Sequence, residues 1–105
     1  MEEIKKNPSL KDLQKYVLEM ENERDFSKDV SVNLLMLGEE VGELFKAIGK
    51  HGNLNKVDSN SKVGSVEEEL ADVLIFICAI ANRFDIDLEK AFRDKEAINN
   101  KRSWR

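Results

Sequence analysis

Leu37-Gly38-Glu39-Glu40-Val41-Gly42-Glu43-Leu44 is the stretch on which the fold turns. Stepped at about 100° per residue around a helix, Leu34, Leu37, Val41, Leu44 and Ile48 fall on one face and read as core. Glu39, Glu40 and Glu43 occupy the opposite and flanking arc. Charged arcs are ordinarily solvated, but Val32, Met36 and Ala47 share this one. A helix that is apolar nearly all round reads as buried, and acids on a buried helix need compensation.

A second segment sharpens the problem. From Leu70 to Ala81 every side chain is apolar except Asp72, with Glu69 one turn before it. No Lys or Arg on that helix lies one turn from Asp72, and the nearest, Arg83, is three turns away. An ionised carboxylate there must take a proton, pair with a base or bind a cation.

Around these two segments four helices are predicted. The first spans about Ser9 to Asp25, with Ser9 as N-cap and Asp12 three residues on. The second spans about Val30 to Lys50. The third spans about Val66 to Phe84, with Ser65 and Glu68 expected to form a capping box. The fourth spans about Leu88 to Ser103, capped by Asp87. The stretch from His51 to Gly64, rich in Gly, Asn, Ser and Asp, reads as a mobile loop. With one proline, five glycines and no repeat, the chain reads as all-α, a four-helix bundle-like protomer forming a single domain over residues 1–105.

The net charge of −4 argues against a nucleic-acid polymer as partner. The longest apolar stretch, 12 residues from Leu70, is too short to span a bilayer. The amino-terminal residues lack the apolar stretch of a signal peptide, and Cys78 is the only cysteine, so a cytoplasmic location is expected. Cys78, inside the apolar run, reads as packing. His51 reads as an exposed loop residue, and Gly38 and Gly42 as permitting close helix approach or leaving room for a ligand.

The acids combine. Glu40 and Glu43 are three apart and project together, as do Glu69 and Asp72. Two such pairs on facing helices bring four carboxylates to one point. An all-oxygen set without His or Cys suits a hard cation, Mg²⁺ or Mn²⁺. On the fourth helix Leu88, Ala91, Phe92, Lys95, Asn99 and Arg102 form one stripe that starts apolar and ends cationic. If Leu88 and Phe92 face the bundle, Lys95, Asn99 and Arg102 point along the same side, where they suit phosphate oxygens. A basic helix end that merely complements the helix dipole is the plainer alternative.

The pattern Glu-Glu-x-x-Glu, 25 residues, then Glu-x-x-Asp resembles the signature of the MazG-like nucleotide pyrophosphohydrolases and their all-α relatives. Lys95-x-x-x-Asn99-x-x-Arg102 is similar to the run that often ends that family. The resemblance implies that Glu40, Glu43, Glu69 and Asp72 hold Mg²⁺ and that Glu39 polarises the attacking water. It implies hydrolysis of a nucleoside triphosphate to the monophosphate and pyrophosphate, and a homodimer or homotetramer. The apolar breadth of the third helix points to assembly independently, because three amphipathic neighbours can hardly cover it. A helical module that binds metal or nucleotide without turnover is the competing reading, and in it Glu39 is dispensable.

Overall fold

The structure, a computed structural model, describes residues 3–51 and 64–102, except for the His51 side chain. The predicted loop after His51, Trp104 and Ser103 lie outside the described residues. Four helices follow in order: α1 Leu10–Glu23, α2 Val30–His51, α3 Val66–Arg83 and α4 Leu88–Asn99. Among the described residues there is no strand, so the all-α expectation holds.

Local chemistry sets the boundaries. At the start of α1, Ser9 and Asp12 exchange backbone-to-side-chain bonds of 2.9 and 3.1 Å, a complete capping box. At α3 the box is half made. Ser65 Oγ accepts from the Glu68 N–H, but the Glu68 carboxylate turns to the Ser65 hydroxyl rather than to its backbone. Helices α1 and α3 end alike, slightly earlier than predicted. Asp25 and Asp85 adopt left-handed φ of 53° and 55°. The Phe26 N–H then donates to the Glu21 carbonyl, and the Ile86 N–H to the Ala81 carbonyl, closing Schellman-type caps. Helix α4 stops at Asn99, not at Ser103. Lys101 and Arg102 donate to carbonyls three residues back, which tightens the chain out of the α-helical register. Asn99 and Asn100, weak helix formers, stand where this happens.

The α2–α3 contact is the most extensive, α1 packs on α3, and α4 packs on α1. The core lies between α1 and α3, where Val17 and Met20 meet Cys78 and Ala79. Cys78 is packing, as expected. Gln14 ties three elements together. Its Nε2 donates to Asn82 Oδ1 and the Ile86 carbonyl, and its Oε1 accepts from the Leu88 N–H. A buried ion pair joins Glu21 of α1 to Arg83 of α3 at 2.6 Å.

The apolar faces of α2 and α3 are less covered than the sequence suggests. Leu34 is 61% exposed, Leu35 74% and Phe45 66%, and Ile48, Leu70, Leu74 and Ile77 also reach solvent. Leu34 and Ile48, expected in the core, are thus outside the core of a single chain. Among the described residues Gly38 and Gly42 are not sites of close helix approach, since a Cβ at either would meet nothing there within 4 Å. No helix among the described residues is long and apolar enough to cross a membrane.

Candidate metal centre

Helices α2 and α3 run antiparallel, so Glu40 and Glu43 meet Glu69. These three present carboxylate oxygens within 4.8 Å of one another. The three-residue spacing puts Glu40 and Glu43 on one side of α2. Glu69, in the first turn of α3, is held there from both directions. Its backbone N–H donates to the Ser65 carbonyl, and its Oε1 accepts from the Gly64 N–H at 2.9 Å. Gly64 fits because it lacks a side chain: a Cβ would stand 2.9 Å from Glu69 Oε1 and 2.8 Å from Glu68 Oε2. A glycine directly before a helix cap was the available sequence signal for this contact, and the motif reading passed over it.

Burial grades across the cluster. Glu69 is 4% exposed, Glu40, Glu43 and Asp72 are half-buried, and Glu39 is exposed. Asp72 is therefore less enclosed than its apolar neighbours suggest. It lies beside the three-oxygen group rather than in it, close enough for its charge to act on Glu40. Among the described residues no ion pair reaches any of the four acids. Glu40 Oε2 and Glu69 Oε2 are buried with no hydrogen-bond partner.

The electrostatics follow. Burial, then the charges of Glu43 and Asp72 and the neighbouring Glu69 carboxyl, push the Glu40 carboxyl up to about 7. Burial and Glu69 raise Glu43 as well, opposed by the Lys46 ammonium one turn on. Carboxylates crowded in this way take up protons or share a cation. The donor set suits Mg²⁺ or Mn²⁺, and the two orphaned oxygens are what a cation would satisfy.

The cationic end behaves differently. Lys95 is exposed on α4, Asn99 is half-buried, and Arg102 is exposed beyond the helix. Phe92, expected to face the bundle with Leu88, is 68% exposed. Because α4 packs on α1, these residues are not brought to the acids within one chain. A hollow of about 590 Å³ between Leu10 and the Glu89–Asn100 side of α4 is lined by no residue of α2 or α3.

The MazG nucleotide pyrophosphohydrolase domain matches residues 28–105. Human dCTP pyrophosphatase 1 is 35% identical over 102 residues, covering 90% of this chain and 59% of its own length. The rat protein of that name is 31% identical over 100 residues, with the same two shares. This chain thus spans about 59% of the length of the curated relatives it matches. A crystal structure of iMazG from Vibrio DAT 722 is similar with a TM-score of 0.69 at 34% identity, covering 93% of this chain and 100% of that one. A second form of it gives 0.68 at 35%, covering 89% and 99%. A match that takes in both acid-bearing helices, with relatives at this level of identity, places the chain in the MazG nucleotide pyrophosphohydrolase family.

Proposed function

We propose that the chain hydrolyses a nucleoside or deoxynucleoside triphosphate at the α-phosphorus, giving the monophosphate and pyrophosphate, with Mg²⁺ (or Mn²⁺) at Glu40, Glu43, Glu69 and Asp72. The observation that carries this reading is the pair of buried, unpartnered oxygens on Glu40 and Glu69 inside a three-carboxylate group with no cationic side chain paired to it. Bound there, the metal supplies charge neutralisation of the triphosphate and polarisation at phosphorus. Glu39, exposed and close enough for its charge to act on Glu43, is assigned the role of polarising the attacking water. The Gly64 N–H holds Glu69 Oε1 and leaves Oε2 for the ligand.

Lys95, Asn99 and Arg102 are assigned to the β- and γ-phosphates and the leaving pyrophosphate. With Lys95 and Asn99 on α4, Arg102 just beyond it and α4 packed on α1, this role fits best when copies of the chain assemble and this end of one serves another. The exposed Leu34, Leu35, Phe45, Leu70 and Ile77 support a homodimer or homotetramer through α2 and α3. A lone buried thiol suits a reducing cytoplasm. The name of the human relative makes dCTP the first substrate to assay.

Pyrophosphate release, followed against the eight common NTPs and dNTPs with Mg²⁺ and with EDTA, tests the reading. Metal-dependent pyrophosphate from at least one of them is expected. Orthophosphate as first product, or no product from any, overturns it. Light scattering of the same preparation should give two or four copies.

A further inference from the structure

Charge is distributed unevenly along the two acid-bearing helices. From Val30 to Gly38 α2 carries no charged side chain, and then Glu39, Glu40, Glu43, Lys46 and Lys50 follow. On α3 every side chain between Asp72 and Arg83 is uncharged, whereas Glu67, Glu68 and Glu69 stand in the first turn. Because the helices are antiparallel, the carboxylates lie where an uncharged half of the pair meets a charged half. A polyphosphate extending from the acids finds no counter-charge on α2 in one direction and two lysines in the other.

Lys46 is the nearer of those two lysines. It stands three residues past Glu43, a rise of about 4.5 Å, and about 20° around the axis from Glu39. Its side chain is exposed, and its charge acts on Glu43 without an ion pair. Among the described residues no carboxylate lies within salt-bridge distance of Lys46, so its ammonium is open to a ligand. Four carboxylates and a triphosphate carry more negative charge than one or two Mg²⁺ ions neutralise. Lys95 and Arg102 are not brought to the acids within one chain, whereas Lys46 is already beside them. Resting on the assignment of the acids to a metal-bound triphosphate, we propose that Lys46 Nζ donates to the β- and γ-phosphate oxygens and stays with the pyrophosphate as it leaves. Lys46 is then a substrate-binding residue supplied by the same chain as the acids. The triphosphate runs from the acids toward the carboxyl-terminal end of α2.

Calorimetry on the full chain in saturating Mg²⁺ tests this without turnover. Lys46→Gln should weaken pyrophosphate binding about tenfold, the scale of one charge-assisted contact. It should leave dCMP binding unchanged, because the monophosphate has no distal phosphate. Lys46→Arg should keep most of the pyrophosphate affinity. Lys15→Gln, the same charge change at an exposed position of α1, should alter neither. Titration with Mg²⁺ alone separates a phosphate ligand from a mere counter-charge to the acids. An ammonium repels a cation, so Lys46→Gln should bind Mg²⁺ as tightly as wild type or more tightly while binding pyrophosphate worse. A folded Lys46→Gln with wild-type pyrophosphate affinity overturns the inference, as does an equal loss for dCMP or in Lys15→Gln. A wild type that does not bind pyrophosphate in Mg²⁺ overturns it with no variant at all. Absence of pyrophosphate release from every triphosphate sinks the proposed function instead, and the pyrophosphate titrations still decide the role of Lys46.

Discussion

Two buried glutamates, Glu21 on α1 and Glu69 on α3, differ in company. Glu21, 3% exposed, meets the Arg83 guanidinium at 2.6 Å across the α1–α3 contact. Glu69, nearly as buried, meets a backbone N–H and two more carboxylates. Burial alone does not distinguish them. The first site is closed by a charge the chain supplies, and the second needs a charge from outside. Arg83, the one base in sight of Asp72 in the sequence, is committed to Glu21 and cannot compensate the acids.

The widest separation between the two sites should come from removing charge at each. Arg83→Ala strands Glu21 and should cost about 3–5 kcal/mol, read by urea unfolding in EDTA. Asp72→Asn and Glu69→Gln relieve repulsion and should leave the metal-free protein as stable as wild type or more so, while losing most activity. A clear loss of stability in EDTA for these two would make the acids structural and erase the contrast.

Metal should act on one site only. A hundredfold excess of Mg²⁺ over its dissociation constant should stabilise wild type by about 2.7 kcal/mol. The Asp72→Asn variant should gain much less, and Glu21→Gln should keep the full increment over its own baseline. Thermal melts with EDTA and with Mg²⁺ decide this.

Acidity gives a third, gentler test. Glu40 is pushed from 4.5 to about 7, so between those values the folded, metal-free chain holds a proton that the unfolded chain has released. Its contribution to stability is complete below 4.5 and is lost as the pH rises through about 7. Metal-free wild type should therefore weaken across that window, and Glu40→Gln should flatten the dependence. Denaturant midpoints in EDTA at several pH values measure it.

The smallest effect is expected at Gly64. Gly64→Ala crowds Glu69 Oε1 and should weaken apparent Mg²⁺ affinity several-fold, with stability changed by less than about 1 kcal/mol. An unchanged metal titration would show that Glu69 has room to shift.

The acid cluster was legible in the sequence because carboxylates three residues apart must project together and because Asp72 interrupts an otherwise apolar run. Helix starts at Ser9, Ser65 and Asp87 were legible for a similar reason, since capping is settled within four residues. Other features depend on what lies across the fold. Leu34 and Ile48 carry the same apolar signal whether a chain's own helix or a second copy covers them. Asn33 resembles any polar residue near a helix start until the Ser27 carbonyl engages one end of its amide and the other end is left buried without a partner. The end of α4 was misplaced because backbone closure at Asn99 and Asn100 competes on nearly equal terms with one more helical turn.

The Gln14 amide has a kinetic consequence. Its bonds reach residues 68 and 74 positions away, so α1 docks only after almost the whole chain has been looped back. The α2–α3 pair needs no such closure and lies wholly within the segment matched by the family, residues 28–105. Detachment of α1 is thus an opening that costs less than global unfolding and leaves the carboxylates facing one another. Amide protons of α1 should exchange with deuterium ahead of those in the middle of α3.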